Sequence, residues 1–256
     1  MKLAVVNGVR REAAPALVGT CPGCEAPVIP KCGEIRLHHW AHRSTISCDP
    51  WREAETEWHR AWKNHFPIEW QEVWHRGADG VVHIADVKTP NSAVLEFQHS
   101  PISAEERVSR EAFYRPMVWV VDGTSRKRDL SSFCDALSHA RSAETKLRAW
   151  IIPLGLSSIV DRWSGSGYPV VLDFGDVEFP RRWLPESGLL WWLRYVPKIG
   201  AVATPIFRKS FIDHCLIGVS IRGLARIEPR RPARSLGGLP RFDTHLARER
   251  ARTSRF

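Results

Sequence analysis

The segment HIADVKTPNSAVLEFQHS, residues 83 to 100, carries acidic side chains where a hairpin would be expected to carry apolar ones. With a three-residue loop over 90–92, Asp86 lies directly opposite Glu96. Side chains alternate along a strand, so Asp86, Glu96 and Gln98 share one face. Two facing carboxylates repel each other unless a cation lies between them, and Mg²⁺ prefers such oxygen ligands. The pattern predicts a Mg²⁺ site on this face, although an exposed polar face would look the same.

A second group of polar residues lies upstream, in EAETEWHRAWKNHF. Glu55, His59 and Lys63 are spaced i, i+4 and i+8, which places them on one stripe of a helix. An acid, a base and a cation on one stripe suit acid–base chemistry at a neighbouring site. A solvated helix face with a Glu-to-Lys spacing is the alternative.

Cysteine and histidine residues cluster near the start of the chain. CPGC and HHWAH supply Cys21, Cys24, His39 and His42, two close pairs separated by about a dozen residues, as in structural Zn²⁺ sites. Further candidate ligands are within reach, namely His38, Cys32 and Cys48. A site with four protein ligands would stabilise a small N-terminal module. HHWAH also permits another interpretation, the active site of an HNH-type nuclease, but that leaves the hairpin carboxylates unexplained.

Composition limits the class of protein. The 256 residues are 43% hydrophobic, enough for a real core, and no apolar stretch approaches the roughly 20 residues of a membrane span. The apolar run at the start breaks at Asn7-Gly8, so we expect no signal peptide and a cytoplasmic protein. Of the formal charge of +9, most lies between 222 and 256, where ten arginines accompany three acidic residues. Such a tail binds polyanions without sequence specificity.

The elements that must position these residues follow from periodicity and breakers. A helix is expected over 52–65, after the start signal Asp49-Pro50. Strands are expected at IEWQEVW, VVHIADVK and AVLEFQ, then a helix at SAEERVSREAFYR and a buried strand at PMVWVVDG. A further helix is expected at RKRDLSSFCDALSHARS. In the hairpin loop we expect Asn91 to adopt the left-handed conformation. The order is helix, three strands, helix, strand.

Taken together, these motifs resemble a known family. A helix Glu, an Asp on one strand and Glu-x-(Lys/Gln) on the next is the pattern of the PD-(D/E)xK nuclease superfamily. More closely, CPGC, HHWAH, ETEWHRAWK, IADVKT and LEFQHS look like the competence protein CoiA-like family, over about residues 21 to 123. The resemblance implies an α/β fold: a restriction-endonuclease-like (PD-(D/E)xK) core with a small zinc-ribbon-like N-terminal module.

The resemblance also implies roles for the residues. Asp86 and Glu96 would ligate Mg²⁺ or Mn²⁺, with the Phe97 carbonyl as a further ligand, and Glu55 would hold a water or a second ion. The third motif position, usually Lys, is Gln98, which supplies no charge. A lysine elsewhere would then have to supply it. Lys88 is the closer candidate on the hairpin, whereas Lys63 matches the family's helix motif together with His59.

The second helix carries Arg107, Arg110 and Tyr114 at i, i+3 and i+7. Arg110 and Tyr114 match the R-x-x-x-Y of the family, and Ser100 matches its Q-x-S, so these four residues are candidate contacts to DNA. Structural ion pairs with the glutamates of the same helix explain the arginines equally well.

We therefore divide the chain into a Cys/His module (1–50), a nuclease core (51–145), a region of unknown role (146–221) and an Arg-rich, disordered tail (222–256). The expected activity is Mg²⁺-dependent hydrolysis of DNA phosphodiesters, in DNA uptake and recombination or in defence. The alternative is a catalytically inactive nucleic-acid-binding adaptor on a nuclease-like scaffold, which would tolerate loss of the carboxylates.

Overall fold

The computed structural model describes residues 1–43, 48–51, 53–77, 80–143, 148–179 and 188–218. The Arg-rich segment expected to be disordered, 222–256, lies outside these residues. The described chain has a mixed α/β architecture with two sheets. None of its helices combines the length and the apolar character needed to cross a bilayer.

The first sheet is antiparallel and belongs to the N-terminal segment. It comprises β1 (Leu3–Val6), β2 (Val9–Glu12), β3 (Gly19–Thr20), β4 (Pro27–Lys31) and β5 (His39–His42), in the order β2-β1-β3-β4-β5. A small core forms around Trp40, which is fully buried with Ala4 and Cys21. So few buried apolar residues would give this sheet only a small free energy of unfolding, which a bound structural metal would increase.

The second sheet has nine strands and contains the hairpin. Its elements run α1 (Glu57–Lys63), β6 (Gln71–Arg76), β7 (Val82–Lys88), β8 (Val94–Gln98), α2 (Ala104–Phe113), β9 (Met117–Asp122), α3 (Asp129–Ser138), β10 (Arg141–Ser142), β11 (Trp150–Ile152), α4 (Ser158–Trp163), β12 (Val170–Asp173), β13 (Leu189–Val196), β14 (Gly200–Phe207) and α5 (Arg208–Leu216). The strand order is β10-β11-β14-β13-β12-β9-β8-β7-β6. Strands β8 and β9 are parallel and joined through α2, and every residue of both strands is buried, as expected for central parallel strands.

The elements expected around the hairpin are present, with corrected boundaries. Helix α1 begins after Thr56, whose side chain accepts a hydrogen bond from the His59 N–H. The start signal expected at Asp49 instead serves a local turn, since its carboxylate accepts from the Trp51 N–H at 2.9 Å. The first expected strand also begins later, at Gln71, because a 3₁₀ turn follows Pro67.

The hairpin loop has the expected length but not the expected left-handed residue. Thr89 N–H donates to the Ala93 carbonyl at 2.9 Å, which encloses three loop residues. Ser92, the last of them, has φ +65°, whereas Asn91 does not have positive φ. A three-residue loop places its left-handed residue third, so Ser92 takes that conformation. Asn91 uses its amide to donate to the Gly218 carbonyl.

The region that the sequence left without a role, 146–221, contributes β11 to β14 to the same sheet as the hairpin. Strand β12 pairs in parallel with β9, opposite Trp119 to Asp122. At the end of β12, buried Asp173 accepts from the indole N–H groups of Trp58 and Trp62 at 3.0 and 2.8 Å, and from Arg208 at 2.7 Å. This carboxylate therefore ties α1 to the far half of the sheet.

We expect Asp173→Ala to lower the free energy of unfolding by about 2 to 4 kcal/mol, because two indole N–H groups and a guanidinium lose a buried acceptor. Asp176→Ala is the matched control. Its side chain is 84% exposed and also pairs with Arg208, at 3.2 Å, and the loss should stay within about 0.5 kcal/mol. Urea denaturation of both variants measures the difference. Equal losses would show that Asp173 does not anchor α1.

Candidate active site and metal cluster

The hairpin carboxylates lie where the ladder between β7 and β8 ends. The paired residues are Lys88 with Val94 and Val87 with Leu95, a register that sets Asp86 opposite Glu96 as expected. Beyond that point, hydrogen bonds from backbone N–H groups to the two carboxylates replace hydrogen bonds between the backbones. Glu96 Oε1 accepts from the Asp86 N–H at 3.2 Å, and Asp86 Oδ2 accepts from the Phe97 N–H at 3.0 Å. The two carboxylates are thereby fixed side by side between the strands.

A pocket opens over this pair and collects most of the residues expected at the site. From the expected set it is lined by Glu55, His59, Lys63, Asp86, Glu96, Arg110 and Tyr114, and the Phe97 carbonyl is close by. Three further acidic residues that sequence reasoning did not single out also line it, namely Asp49, Glu53 and Glu72. Six carboxylates and two permanent cations thus share one pocket, an excess of negative charge.

Lys63 is the cation at the centre of this pocket. Its ammonium lies 3.0 Å from Glu55, 3.1 Å from Glu72 and 3.9 Å from Asp86, and the side chain is 4% exposed. Burial alone would lower the pKa of Lys63, but the surrounding carboxylates outweigh it and raise the pKa. Lys88, the closer candidate by sequence, lies instead where its charge helps lower the pKa of His75.

Glu55 reaches the pocket from outside the helix. It precedes the N-cap Thr56, so the expected stripe keeps only His59 and Lys63 on α1 itself. Both carboxylate oxygens of Glu55 face cations, Lys63 at 3.0 Å and Arg60 at 3.3 Å. Burial alone would raise the pKa of Glu55, but these cations lower it. Glu55 is therefore ionised and engaged in ion pairs.

Glu72 links the pocket to the first sheet. Its two oxygens accept from the backbone N–H groups of Lys2 and Leu3, both at 2.8 Å. Burial opposes ionisation, but Lys63 and the N–H donors lower the pKa of Glu72 to about 2. Glu72 has φ +46°, a conformation uncommon for a non-glycine residue in a strand. Its only sequence signal was an acidic residue inside an expected strand.

The pKa of Glu96 is shifted in the opposite direction from those of Glu55 and Glu72. Burial, with a contribution from nearby Asp86, raises the pKa of Glu96 to about 8, even though Arg110 donates to it at 3.2 Å. The nearest cation, Arg110, is shared with Glu106 and the Trp51 carbonyl. The negative charge of an ionised Glu96 is therefore poorly compensated by protein groups.

His59 and Gln98 do not face the pocket in the same way. His59 Nε2 bonds the Phe97 carbonyl at 2.6 Å and fixes that oxygen beside Glu96. Gln98 lies on the expected strand, but its amide donates to Glu53 and to the Ser100 carbonyl, and it does not line the pocket. The third motif position therefore contacts Glu53 and makes no hydrogen bond with Asp86 or Glu96 in the described part of the chain.

The candidate DNA contacts separate into two groups. Arg110 and Tyr114 line the pocket, whereas Arg107 and Ser100 line a different cavity. The ion pairs that offered an alternative explanation are present, since Arg110 bonds Glu106 and Glu96. Arg107 reaches the Arg162 carbonyl at 2.9 Å.

Asp49 and Glu53 close the pocket from the segment before α1. Asp49 is 2% exposed and accepts from His83 Nδ1 and from the Ile84 N–H, both at 2.8 Å. Glu53 accepts from the Ser100 N–H at 3.2 Å. Glu53 was expected inside the helix over 52–65, but the helix begins at Glu57, and Asp49 was expected only as its start signal, so the sequence did not indicate that either side chain faces the pocket.

A second cluster lies in the N-terminal segment and matches a tetrahedral metal site. Cys21, Cys24, His42 and Cys48 each offer one atom, and these atoms lie within 4.8 Å of one another. His42 Nε2 is 3.3 Å from Cys24 Sγ and 3.4 Å from Cys48 Sγ. Tetrahedral Zn²⁺ with S and N ligands separates them by roughly 3.3 to 3.8 Å, so the donor set suits zinc.

The cluster contains Cys48, one of the alternative ligands considered from the sequence, in place of the expected His39. His39 and His42 are three residues apart on β5, and an odd spacing along a strand puts side chains on opposite faces. His39 Nδ1 instead bonds the Leu37 carbonyl at 2.8 Å. Cys24 and Cys21 come from the CPGC turn, as expected.

The turn packs closely on the second sheet. A Cβ atom on Gly23 would lie 2.1 Å from the Trp74 ring, so only glycine permits this approach. Arg10 adds contacts from β2 to the backbone of Gln71 and Glu72. The first sheet and the pocket are therefore parts of one packed unit.

We expect the purified protein to hold one Zn²⁺ and Cys48→Ser to weaken zinc binding on the order of 100-fold or more, since even outer-shell changes weaken such sites 10 to 100-fold. His39→Ala, on the opposite face of β5, should retain the zinc. Elemental analysis and competition with a chelator measure both. Loss of zinc in His39→Ala with retention in Cys48→Ser would reverse the assignment.

Glu96 should also make stability depend on pH. Its folded pKa of about 8 exceeds the unfolded value near 4.3, so the folded chain retains a proton that the unfolded chain releases. The contribution to stability is full below the unfolded pKa and is lost as pH rises towards 8. Relative to Glu96→Gln, the wild type should lose on the order of 3 kcal/mol between pH 5 and pH 8 without added Mg²⁺.

The control for this measurement is Glu106→Gln, which removes the other carboxylate partner of Arg110, with a side chain 38% exposed. It should follow the pH dependence of the wild type. Parallel curves for wild type and Glu96→Gln would show that Glu96 is ionised in the folded chain throughout this range.

Comparison with known proteins gives one match, and it lies over the metal cluster. Residues 19–50 match the family model described as competence protein CoiA, N-terminal domain, a segment that contains all four cluster residues. No curated protein and no solved structure matches the chain. The match ends before α1, and of the residues that line the hairpin pocket it includes Asp49 alone. By this match, residues 19–50 are similar to the N-terminal domain of competence protein CoiA, which supports a CoiA-like family assignment.

Proposed function

We propose that this protein is a cytoplasmic, metal-dependent DNA nuclease with a PD-(D/E)xK-type core that hydrolyses phosphodiester bonds. The observation that carries the proposal is the pair Asp86 and Glu96, fixed side by side by reciprocal backbone hydrogen bonds next to Lys63. A polar face that is merely exposed to solvent does not require hydrogen bonds that hold its carboxylates side by side. Paired carboxylates beside a buried ammonium are suited to a phosphate and a cation.

The donor set fits a hard divalent cation. Asp86 Oδ1, the Glu96 carboxylate and the Phe97 carbonyl offer oxygens from two adjacent strands, and Asp86 is 24% exposed at the pocket. Even with Glu96 protonated, five carboxylates against two permanent cations leave the pocket with negative charge to neutralise. When bound, Mg²⁺ or Mn²⁺ would supply the positive charge that neutralises a phosphate and promotes ionisation of water.

The residues of the chain would then divide the remaining work. Lys63 provides the charge that Gln98 lacks at the third motif position, close enough to Asp86 to orient a water molecule or a phosphate oxygen. His59 holds the Phe97 carbonyl in place, and Glu55 and Glu72 hold the Lys63 ammonium. Arg110 orients Glu96. These side chains form the wall of the pocket in which a strand of DNA would bind.

The zinc cluster supports a nuclease indirectly. The first sheet donates two backbone N–H groups to Glu72, and Glu72 holds Lys63. A structural Zn²⁺ would thus stabilise the module on which the pocket geometry rests. The family match is consistent with a role in DNA uptake and recombination, and defence against foreign DNA would use the same chemistry.

A nucleic-acid-binding adaptor is the second candidate, and one observation favours it. Lys63 already contacts three carboxylates, so the pocket has an internal cation that partly replaces a metal. In that case Asp86 would serve folding only, and DNA would bind elsewhere. The two candidates differ in whether DNA is cut.

The test is cleavage of single-stranded, duplex and branched DNA with Mg²⁺ or Mn²⁺. Asp86→Asn keeps the acceptor for the Phe97 N–H but removes the charge, and should lower the rate on the order of 100-fold or more, as should Glu96→Gln. Lys63→Gln should lower it similarly. Lys88→Gln, a lysine of the same hairpin, should leave the rate within about twofold.

Zinc content and DNA binding of each variant should be measured alongside, so that unfolding is not mistaken for lost chemistry. A wild type that binds all three DNA forms and cuts none, with Asp86→Asn binding equally well, would replace the nuclease by the adaptor.

A further inference from the structure

A second cavity lies directly beyond the wall of the pocket. It has a volume of about 220 Å³ and opens where β8 and β9 end, between the first turn of α2 and the end of α4. Gln98 and Ser100 line it, and both are bonded to Glu53 of the pocket. Since drug-sized ligand sites span roughly 300 to 1,000 Å³, this one suits a phosphate with part of its sugar.

Among the described residues, the side chain of Gln98 brings to this cavity a buried polar atom without a hydrogen-bond partner. Gln98 is 2% exposed, and its amide N–H groups donate to Glu53 and to the Ser100 carbonyl. Its Oε1 is buried and accepts no hydrogen bond in the described part of the chain. A buried acceptor without a donor is costly, so the cavity calls for a ligand that brings an O–H or N–H group.

The residues that line the cavity include more permanent cations than acidic groups. Its two acids are already paired, Asp122 with His99 at 2.7 Å and Asp129 with Arg162. Arg107, 7% exposed, forms an ion pair with Glu111 at 3.8 Å, but its Nε makes no hydrogen bond within the described part of the chain.

Arg126 adds an exposed guanidinium at the mouth of the cavity. The ten-residue helix α2 begins at the cavity wall, with Ser103 and Ala104 facing it, and a helix N-terminus favours anions. The buried Arg107, the exposed Arg126 and this helix end are together suited to a phosphate.

We propose that this cavity binds the 5′-phosphate and part of the sugar of the terminal nucleotide of a DNA strand whose next phosphodiester is cut at Asp86 and Glu96. The inference rests on the proposed nuclease function and names its substrate, a strand end. Gln98 follows Glu96 by two residues on β8, about 7 Å along a strand, which is within the reach of one nucleotide.

The chemistry of the step agrees with a 5′ end. Water adds to phosphorus, the P–O3′ bond breaks, and a proton passes to the departing O3′. The released nucleotide carries its original 5′-phosphate and a new 3′-hydroxyl, a donor of the kind that Gln98 Oε1 lacks. The remaining strand carries a new 5′-phosphate, so the same cavity can bind it again.

The test uses one oligonucleotide with an internal fluorophore and three kinds of end: 5′-phosphate, 5′-hydroxyl, and 3′-phosphate with a 5′-hydroxyl. Binding is measured by anisotropy without divalent metal, and cleavage with Mg²⁺. The 5′-phosphate form should bind about tenfold more tightly than the 5′-hydroxyl form, as expected for one or two charge-assisted hydrogen bonds. Its cleavage products should be mononucleotides.

Arg126→Gln should reduce the preference for the 5′-phosphate to within about twofold. Arg128→Gln removes the same charge two residues away, at an exposed position that does not line the cavity, and should keep the preference. Cleavage without any preference, or a preference for the 3′-phosphate, would overturn the cavity assignment and leave the nuclease intact. A preference that depends on Arg126, without cleavage, would support the cavity and reject the nuclease.

Discussion

The pocket depends on one buried ammonium. Lys63, 4% exposed, lies between carboxylates from three separate parts of the chain: Glu55 before α1, Glu72 on β6 and Asp86 on β7. A lone ammonium would be expensive to bury, and so would three carboxylates within reach of one another. The ammonium and the carboxylates offset each other's free-energy cost of burial. Their contacts fix the distance between α1 and the hairpin. The position of the candidate catalytic pair follows from this charge balance.

The contacts of Lys63 also connect the pocket to the sheet that carries the metal cluster. Glu72 binds Lys63 on one side and the N–H groups of Lys2 and Leu3 on the other, so β1 of the first sheet is joined to the pocket by a single side chain. Gly23, from the turn that holds Cys21 and Cys24, packs on Trp74 of β6. The N-terminal segment that contains the family match therefore also supports the pocket, although the match itself includes only Asp49 of the pocket lining.

Local patterns predicted the hairpin and failed where contacts were distant. The register of Asp86 opposite Glu96 follows from a three-residue loop and a period of two, both readable along the chain. Asp49, Glu53 and Glu72 belong to the pocket through contacts 30 or more residues away or through an unusual backbone, which no periodicity encodes.

The zinc ligands show the same division between local and distant information. CPGC identified Cys21 and Cys24 because both ligands lie in one turn. For HHWAH, His39 and His42 were chosen as a close pair without knowledge of the local structure; the segment is a strand, so His39 lies on the opposite face from His42. Cys48 could be chosen only after that strand was known.

Gln98 connects the two cavities and explains why a lysine would be out of place there. Its amide donates to Glu53 on the pocket side, while its free Oε1 belongs to the second cavity. A lysine at this position could donate to Glu53 but could accept nothing from a ligand. On the proposed function, Lys63 would provide the charge from α1, and the strand position would then be free to contact the neighbouring nucleotide. A cation on the helix in place of the strand would therefore allow one strand to serve both sites.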